Sequence, residues 1–215
     1  SDNNVPPRAY ANNGNGVFTE LLAPAMPAYS GNWSYTQIVA DFDGDGFVDW
    51  YVSDNGTPSG LLYRNNRAGG FTDVTAAALP AGPVAYEGWG AVDVNDDGLL
   101  DLVVNTPNAT PGVLWNQGNG TFQWAPPSFW PQSLWTNVTG TFAFAADVDG
   151  DGKQDLLFDN GRRLLRNLGG GTWTPASPGS MPANAPVTYR ACDLDVDGDL
   201  DLVGPNGAMR NNGQG

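Results

Sequence analysis

DFDGDGFVD, residues 41–49, is an acidic nonapeptide that recurs as DVNDDGLLD at 93–101, DVDGDGKQD at 147–155 and DLDVDGDLD at 193–201. The shared pattern is D-x-[DN]-x-D-G-x-x-D, and the first aspartates stand 52, 54 and 46 residues apart. A second signature keeps step with it. Asn- and Gly-rich turns lead into an aromatic at 12–18, 65–71, 116–122 and 167–173, and a fifth opens as NNGQG at 211–215. Two signatures in phase, at a period of about 50 residues, point to a solenoid or a propeller.

Each repeat reads as four short strands. An apolar run precedes the acidic loop (35–40, 89–92, 141–146, 187–192) and a second follows it (48–52, 99–104, 155–158, 200–203). Turn residues come next, then a third strand running into the Asn-rich turn (61–64, 113–115, 164–166, 208–210) and a fourth leaving it (71–74, 122–124, 172–174). The Pro-rich stretches 76–83 and 126–133 are assigned to neither strand nor helix, and no amphipathic helix exceeds two turns. Four strands in a repeat of this length describe a β-propeller blade. The fold class is all-β, with repeats at about 12–64, 65–115, 116–166 and 167–215 in a single propeller domain or segment, 1–215. The chain opens with a hairpin of third- and fourth-strand type, 9–22. Two ring sizes stay open: a four-bladed ring closed by that hairpin, or part of a larger propeller.

Composition agrees. Glycine (29) and proline (17) suit many tight turns, while 40% hydrophobic and 11% aromatic residues are enough for a packed core. The net charge of −14 is concentrated. The four motifs hold four, four, four and five acids, 17 of the 23 in the chain. One divalent ion per loop would bring −14 to −6. Nine unclustered Lys and Arg residues disfavour nucleic-acid binding. No apolar run approaches a bilayer span, and no signal peptide precedes the repeats, so the sequence reads as a mature or excised segment. The single cysteine, Cys192, sits on an apolar run and is expected to be a buried small hydrophobe.

The loops carry the chemistry of calcium, which takes six to eight hard oxygen ligands at loosely fixed geometry. Acids at positions 1, 3 and 5 converge, a backbone carbonyl at position 7 adds a donor, the acid at position 9 closes the shell, and Gly at position 6 makes the turn. The ligands expected are Asp41, Asp43, Asp45, Phe47 (carbonyl) and Asp49; Asp93, Asn95, Asp97, Leu99 and Asp101; Asp147, Asp149, Asp151, Lys153 and Asp155; and Asp193, Asp195, Asp197, Asp199 and Asp201. About four ions, one per loop, would staple the first two strands of each blade. A helix–loop–helix calcium hand needs Glu at position 12, where this chain has Val52, Val104, Phe158 and Gly204. Magnesium is disfavoured by an all-protein cage, and zinc by the lack of His and the single Cys.

These loops and their apolar flanks, for example AVDVNDDGLLDLVV at 91–104, resemble the FG-GAP/VCBS repeats of integrin α-chain propellers and of microbial surface proteins. The resemblance covers about residues 9–215. It implies a propeller, commonly seven-bladed, with calcium in loops on one face, and it implies ligand or carbohydrate binding and adhesion.

The residues argue against catalysis. There is no histidine, the lone cysteine has no activating partner, and the acids outside the loops (Asp2, Glu20, Asp54, Asp73, Glu87, Asp159) are scattered. Eight tryptophans favour a carbohydrate-binding, lectin-like surface, with Trp33, Trp89, Trp130 and Trp135 as candidates, whereas Trp50, Trp115 and Trp173 are expected in blade packing. Five sequons (Asn32, Asn55, Asn108, Asn119, Asn137) fit a glycosylated extracellular or cell-surface protein. The partner expected is a carbohydrate or an extracellular protein. The alternative is a purely structural scaffold, a filament or matrix component; an accessory domain of an enzyme ranks below both.

Overall fold

The computed structural model describes residues 8–22, 25–28, 34–54, 60–81, 87–105, 111–130, 144–158, 163–176, 190–204 and 207–211, excepting the side chains of 34, 35, 54, 87–89, 105 and 111. Their regular structure is almost entirely β. A hairpin of β1 (Tyr10–Asn12) and β2 (Phe18–Glu20) comes first. Three four-stranded antiparallel sheets then follow in simple sequence order. They are β3 (Ser34–Ala40), β4 (Asp49–Asp54), β5 (Leu61–Asn65) and β6 (Phe71–Asp73); β7 (Glu87–Val92), β8 (Asp101–Asn105), β9 (Pro111–Asn116) and β10 (Phe122–Trp124); and β11 (Phe144–Ala146), β12 (Asp155–Phe158), β13 (Arg163–Gly169) and β14 (Thr172–Pro175). A three-stranded sheet closes the list with β15 (Arg190–Cys192), β16 (Asp201–Gly204) and β17 (Gly207–Met209). Each of the larger sheets is an up-and-down propeller blade, as the repeat pattern predicts. A one-turn helix, α1 (Thr75–Ala78), occupies the start of one Pro-rich stretch left unassigned above.

The second strand of each blade is its most buried. Tyr51 and Val52, Leu102 to Val104, and Leu156 to Phe158 are almost wholly covered. A central strand covered on both faces needs apolar side chains at consecutive positions, which is why these segments read as continuous runs rather than alternating ones.

The chain divides into two compact units, residues 1–88 with 99–125 and residues 89–98 with 126–215. In the first, Trp50, Val52, Leu61 and Tyr63 form a core against which Ala9, Met26 and Phe71 pack. In the second, Ala146, Val148, Leu157, Leu164 and Leu202 do the same, with Ala191, Leu200 and Met209 from the next sheet. Side chains of successive blades thus share one core there. Trp50 and Trp173 are buried in packing as expected, and Trp115 is half-buried.

Two expectations fail. Cys192 is exposed, whereas Ala40, Val92 and Ala146, which end the first strands of the other sheets, are buried; nearby Leu194 is exposed as well, so this end of the fourth sheet lacks cover among the described residues. Trp130 is buried at 8% exposure, its ring edge-on to Trp173 at 5.8 Å and stacked beside Phe129. A Pro-rich connection that reads as exposed therefore delivers its largest side chain inward.

Candidate metal centres

The four acidic loops share one hydrogen-bonded frame built from backbone amides. The position-1 carboxylate accepts from the amides of positions 5 and 6 in every copy. Asp41 takes Asp45 N at 3.1 Å and Gly46 N at 2.8 Å. Asp93 takes Asp97 N at 3.1 Å and Gly98 N at 2.8 Å, Asp147 takes Asp151 N and Gly152 N, and Asp193 takes Asp197 N and Gly198 N. The position-5 carboxylate accepts from the position-7 amide in three loops: Asp45 from Phe47, Asp151 from Lys153 and Asp197 from Asp199. Leu99 holds the same slot in the second.

This tight winding needs left-handed backbone at two places. Position 6 is glycine throughout, with φ of 86, 86, 89 and 98°. Position 4 is also left-handed, at Gly44 (72°), Asp96 (60°), Gly150 (72°) and Val196 (62°). The second requirement is hidden in the sequence because glycine fills it only twice.

Position 9 lies beneath the loop. Asp49, Asp101, Asp155 and Asp201 begin the second strands and are at most 2% exposed. One oxygen accepts from the position-2 amide (Phe42, Val148 and Leu194 at 2.9–3.2 Å). The other accepts from the amide of the asparagine that opens the turn: Asn65, Asn116, Asn167 and Asn211 at 2.7–2.9 Å. Burial is the main cause that raises the carboxyls of Asp49 and Asp155, the latter to about 6.

That asparagine is the residue the sequence reading missed, although the turn signature in phase with the loops was its trace. Its side chain also reaches the acidic loop one blade back. Asn116 Nδ2 donates to Phe42 O at 2.7 Å and Leu100 O at 3.1 Å, and Asn211 Nδ2 donates to Val148 O at 2.6 Å and Leu200 O at 3.3 Å. In the third blade Trp173 Nε1 takes the corresponding carbonyl, Val94 O, at 3.0 Å. Asn167 Nδ2 is left buried without a partner among the described residues. The acidic loop is therefore a joint between blades as well as between strands.

Oxygen donors converge at Asp41, Asp43 and Asp45, at Asp147, Asp149 and Asp155, and at Asp193, Asp195 and Asp197, each set within 4.8 Å. In the second loop Asn95 Oδ1 accepts from Asp97 N and its Nδ2 donates to Asp97 Oδ2. All the side-chain donors are carboxylate or amide oxygens, and Asp149 Oδ1 is buried without a hydrogen-bond partner among the described residues. This donor set fits a hard divalent cation and offers nothing to a soft one.

The profile of the FG-GAP-like repeat matches residues 41–104, 93–158 and 147–204, well over half of the sequence. The chain belongs to the FG-GAP-like repeat family. Each match starts at the first aspartate of one acidic loop and ends at the twelfth position of the next. The FG-GAP-like unit thus spans the asparagine turn that links the two loops. No curated protein matches the sequence.

Basic side chains lie against the loops of this FG-GAP-like chain. The residue before the turn asparagine pairs with position 3 in three repeats: Arg64 with Asp43 at 3.0 Å, Arg166 with Asp149 at 3.8 Å and Arg210 with Asp195 at 3.0 Å. In the second repeat those two positions are Trp115 and Asn95. Position 5 has its own partners, Arg67 for Asp45 at 2.7 Å and Lys153 for Asp151 at 2.9 Å. The Phe47 amide and then Arg67 hold Asp45 below the usual carboxylate range, and Lys153 does so for Asp151.

Of the other sequence-predicted sites, the Trp89 backbone lies in β7. Trp33 and Trp135 fall outside the described residues, as do Asn32, Asn55, Asn108 and Asn137. Asn119 is exposed in its turn, where its Oδ1 accepts from the Thr121 amide. Among the described residues no helix is long and apolar enough to cross a membrane.

Proposed function

We propose that this chain is a calcium-stabilised, extracellular β-propeller module for binding and adhesion, without catalysis of its own. The observation that carries the reading is the repeated frame, in which backbone amides fix the acids of positions 1, 5 and 9 while oxygen donors converge beside them. An ion at each loop, about four in all, neutralises carboxylates that otherwise repel one another. It thereby secures the connection between two strands and the joint to the neighbouring blade. Membership in the FG-GAP-like family supports both the ion and the extracellular setting.

The residues that would hold the ion are the acids of positions 1, 3, 5 and 9, with Asn95 in place of an acid in the second loop and the position-7 carbonyls of Phe47, Leu99, Lys153 and Asp199. The ligand of the module is a carbohydrate or an extracellular protein. Burial of Trp130 removes one candidate sugar platform and leaves Trp33, Trp89 and Trp135. Glycosylation at Asn119 is consistent with its exposure. A glycan array read with and without chelator tests the binding role: calcium-dependent capture of a sugar supports it. Silence on the array, joined to self-assembly into filaments, would favour the scaffold alternative. Extracellular sites of this kind have a Kd of roughly 10⁻⁴–10⁻³ M, so the assay needs millimolar calcium.

A further inference from the structure

The acid at position 3 and the residue before the turn asparagine vary together within this one chain. Where position 3 is Asp (Asp43, Asp149, Asp195), the other residue is Arg and its guanidinium lies against that carboxylate. Where position 3 is the neutral Asn95, the other residue is the neutral Trp115. In every repeat the two positions sum to zero charge. We infer that Arg64, Arg166 and Arg210 are built-in counter-cations that lower the calcium affinity of their loops, an inference that rests on the calcium reading above.

The geometry divides the work of the carboxylate. In the first loop Asp43 Oδ1 accepts the Asp45 amide at 3.2 Å, while Oδ2 faces Arg64 Nε. In the third, Oδ2 of Asp149 faces Arg166 and Oδ1 has no hydrogen-bond partner among the described residues. The guanidinium thus engages one carboxylate oxygen and leaves the other for an ion. It need not leave when the ion binds, but its charge opposes the ion's charge at close range. Without an ion, the same guanidinium relieves repulsion among the acids. One cation on the frame therefore stabilises the ion-free loop and weakens the loaded one; in the second loop both positions are neutral, and the fourth acid is Asp96 at position 4 instead. Position-5 partners do not follow this rule; Arg67 and Lys153 belong to two repeats and come from different places in the sequence.

The test is calcium calorimetry on the whole chain at low ionic strength, with melting of the ion-free protein as a second readout. Arg210→Gln is the safest variant, because Arg210 is the most exposed of the three. In the triple variant R64Q/R166Q/R210Q, three ions should bind about five- to tenfold tighter, a gain that shrinks in about 0.5 M salt, while one ion binds as before. The ion-free melting temperature should fall in the same variants. Arg210→Lys keeps the charge and should leave calcium affinity near that of the parent. Weaker or unchanged calcium binding in Arg210→Gln would overturn the inference while leaving the calcium reading intact. Absence of calcium uptake by the parent chain would instead remove the reading on which the inference rests.

Discussion

The third and fourth acidic loops carry the same side-chain ligands at positions 1, 3, 5 and 9, yet they sit in different surroundings. Val148, at position 2 of the third loop, is buried, and its carbonyl accepts Asn211 Nδ2 from the following blade. Leu194, its counterpart in the fourth loop, is 45% exposed. Position 4 is Gly150 in one and Val196 in the other, and Val196 is 87% exposed with a φ of 62°. The internal frame is nonetheless the same in both, down to the position-1 carboxylate spanning two amides. The loop therefore builds itself from its own carboxylates and amides. What the next blade adds is cover for position 2 and a bond to its carbonyl.

The sharpest way to break this comparison is to put a charge at position 2. Val148→Asp should cost about 4 kcal/mol, because an unpaired carboxylate would be buried, while Leu194→Asp should stay within about 0.5 kcal/mol. Urea denaturation of the two variants checks it, and equal losses would mean that both positions are covered.

The next effect comes from position 9. Asp155 accepts two buried backbone amides, and an asparagine in its place offers only one acceptor oxygen. Asp155→Asn should destabilise the ion-free protein by about 2–3 kcal/mol. It should also remove a pH dependence. Burial raises the folded carboxyl to about 6 from an ordinary 3.8, so folding binds the proton. That contribution is full below pH 3.8 and is lost as pH rises through 6. Melting in chelator across this range should show the slope in the parent chain and a shallower one in the variant.

The joint between blades should be worth less. Asn211→Ala removes two donated bonds, to Val148 O and Leu200 O, and should cost about 1–2 kcal/mol. Asn167→Ala deletes an Nδ2 that has no partner among the described residues and should cost less. A reversed order in chemical denaturation would show that the asparagine side chain does not tie the blades.

Smallest is the backbone at position 4. Val196→Gly should stabilise the chain by about 1 kcal/mol by relieving a β-branched residue in left-handed conformation, and Gly150→Val should do the opposite. Melting temperatures of the pair decide whether that strain is real.

Much of this was legible in the sequence because charge and period are properties of the chain alone. The acidic nonapeptides located every loop, and the asparagine turns in phase with them located the third and fourth strands. Position 9 was legible as an acid, but its burial was not, since nothing in DLLF at 155–158 distinguishes a ligand from a carboxylate capping buried amides. The reach of Asn116 to Phe42, 74 residues away, depends on blade-to-blade packing that no local pattern encodes. Cys192 and Trp130 were misread for related reasons. An apolar run does not tell whether another part of the chain packs over it, and a Pro-rich connection does not tell which surface it crosses.

The central claim is that these loops are calcium staples, and the most direct test is a calcium titration of the intact chain by calorimetry, paired with melting in calcium and in chelator. The account predicts uptake of about four ions at up to millimolar calcium and a melting temperature that drops in chelator. No uptake at millimolar calcium, with a melting temperature indifferent to chelator, would contradict it.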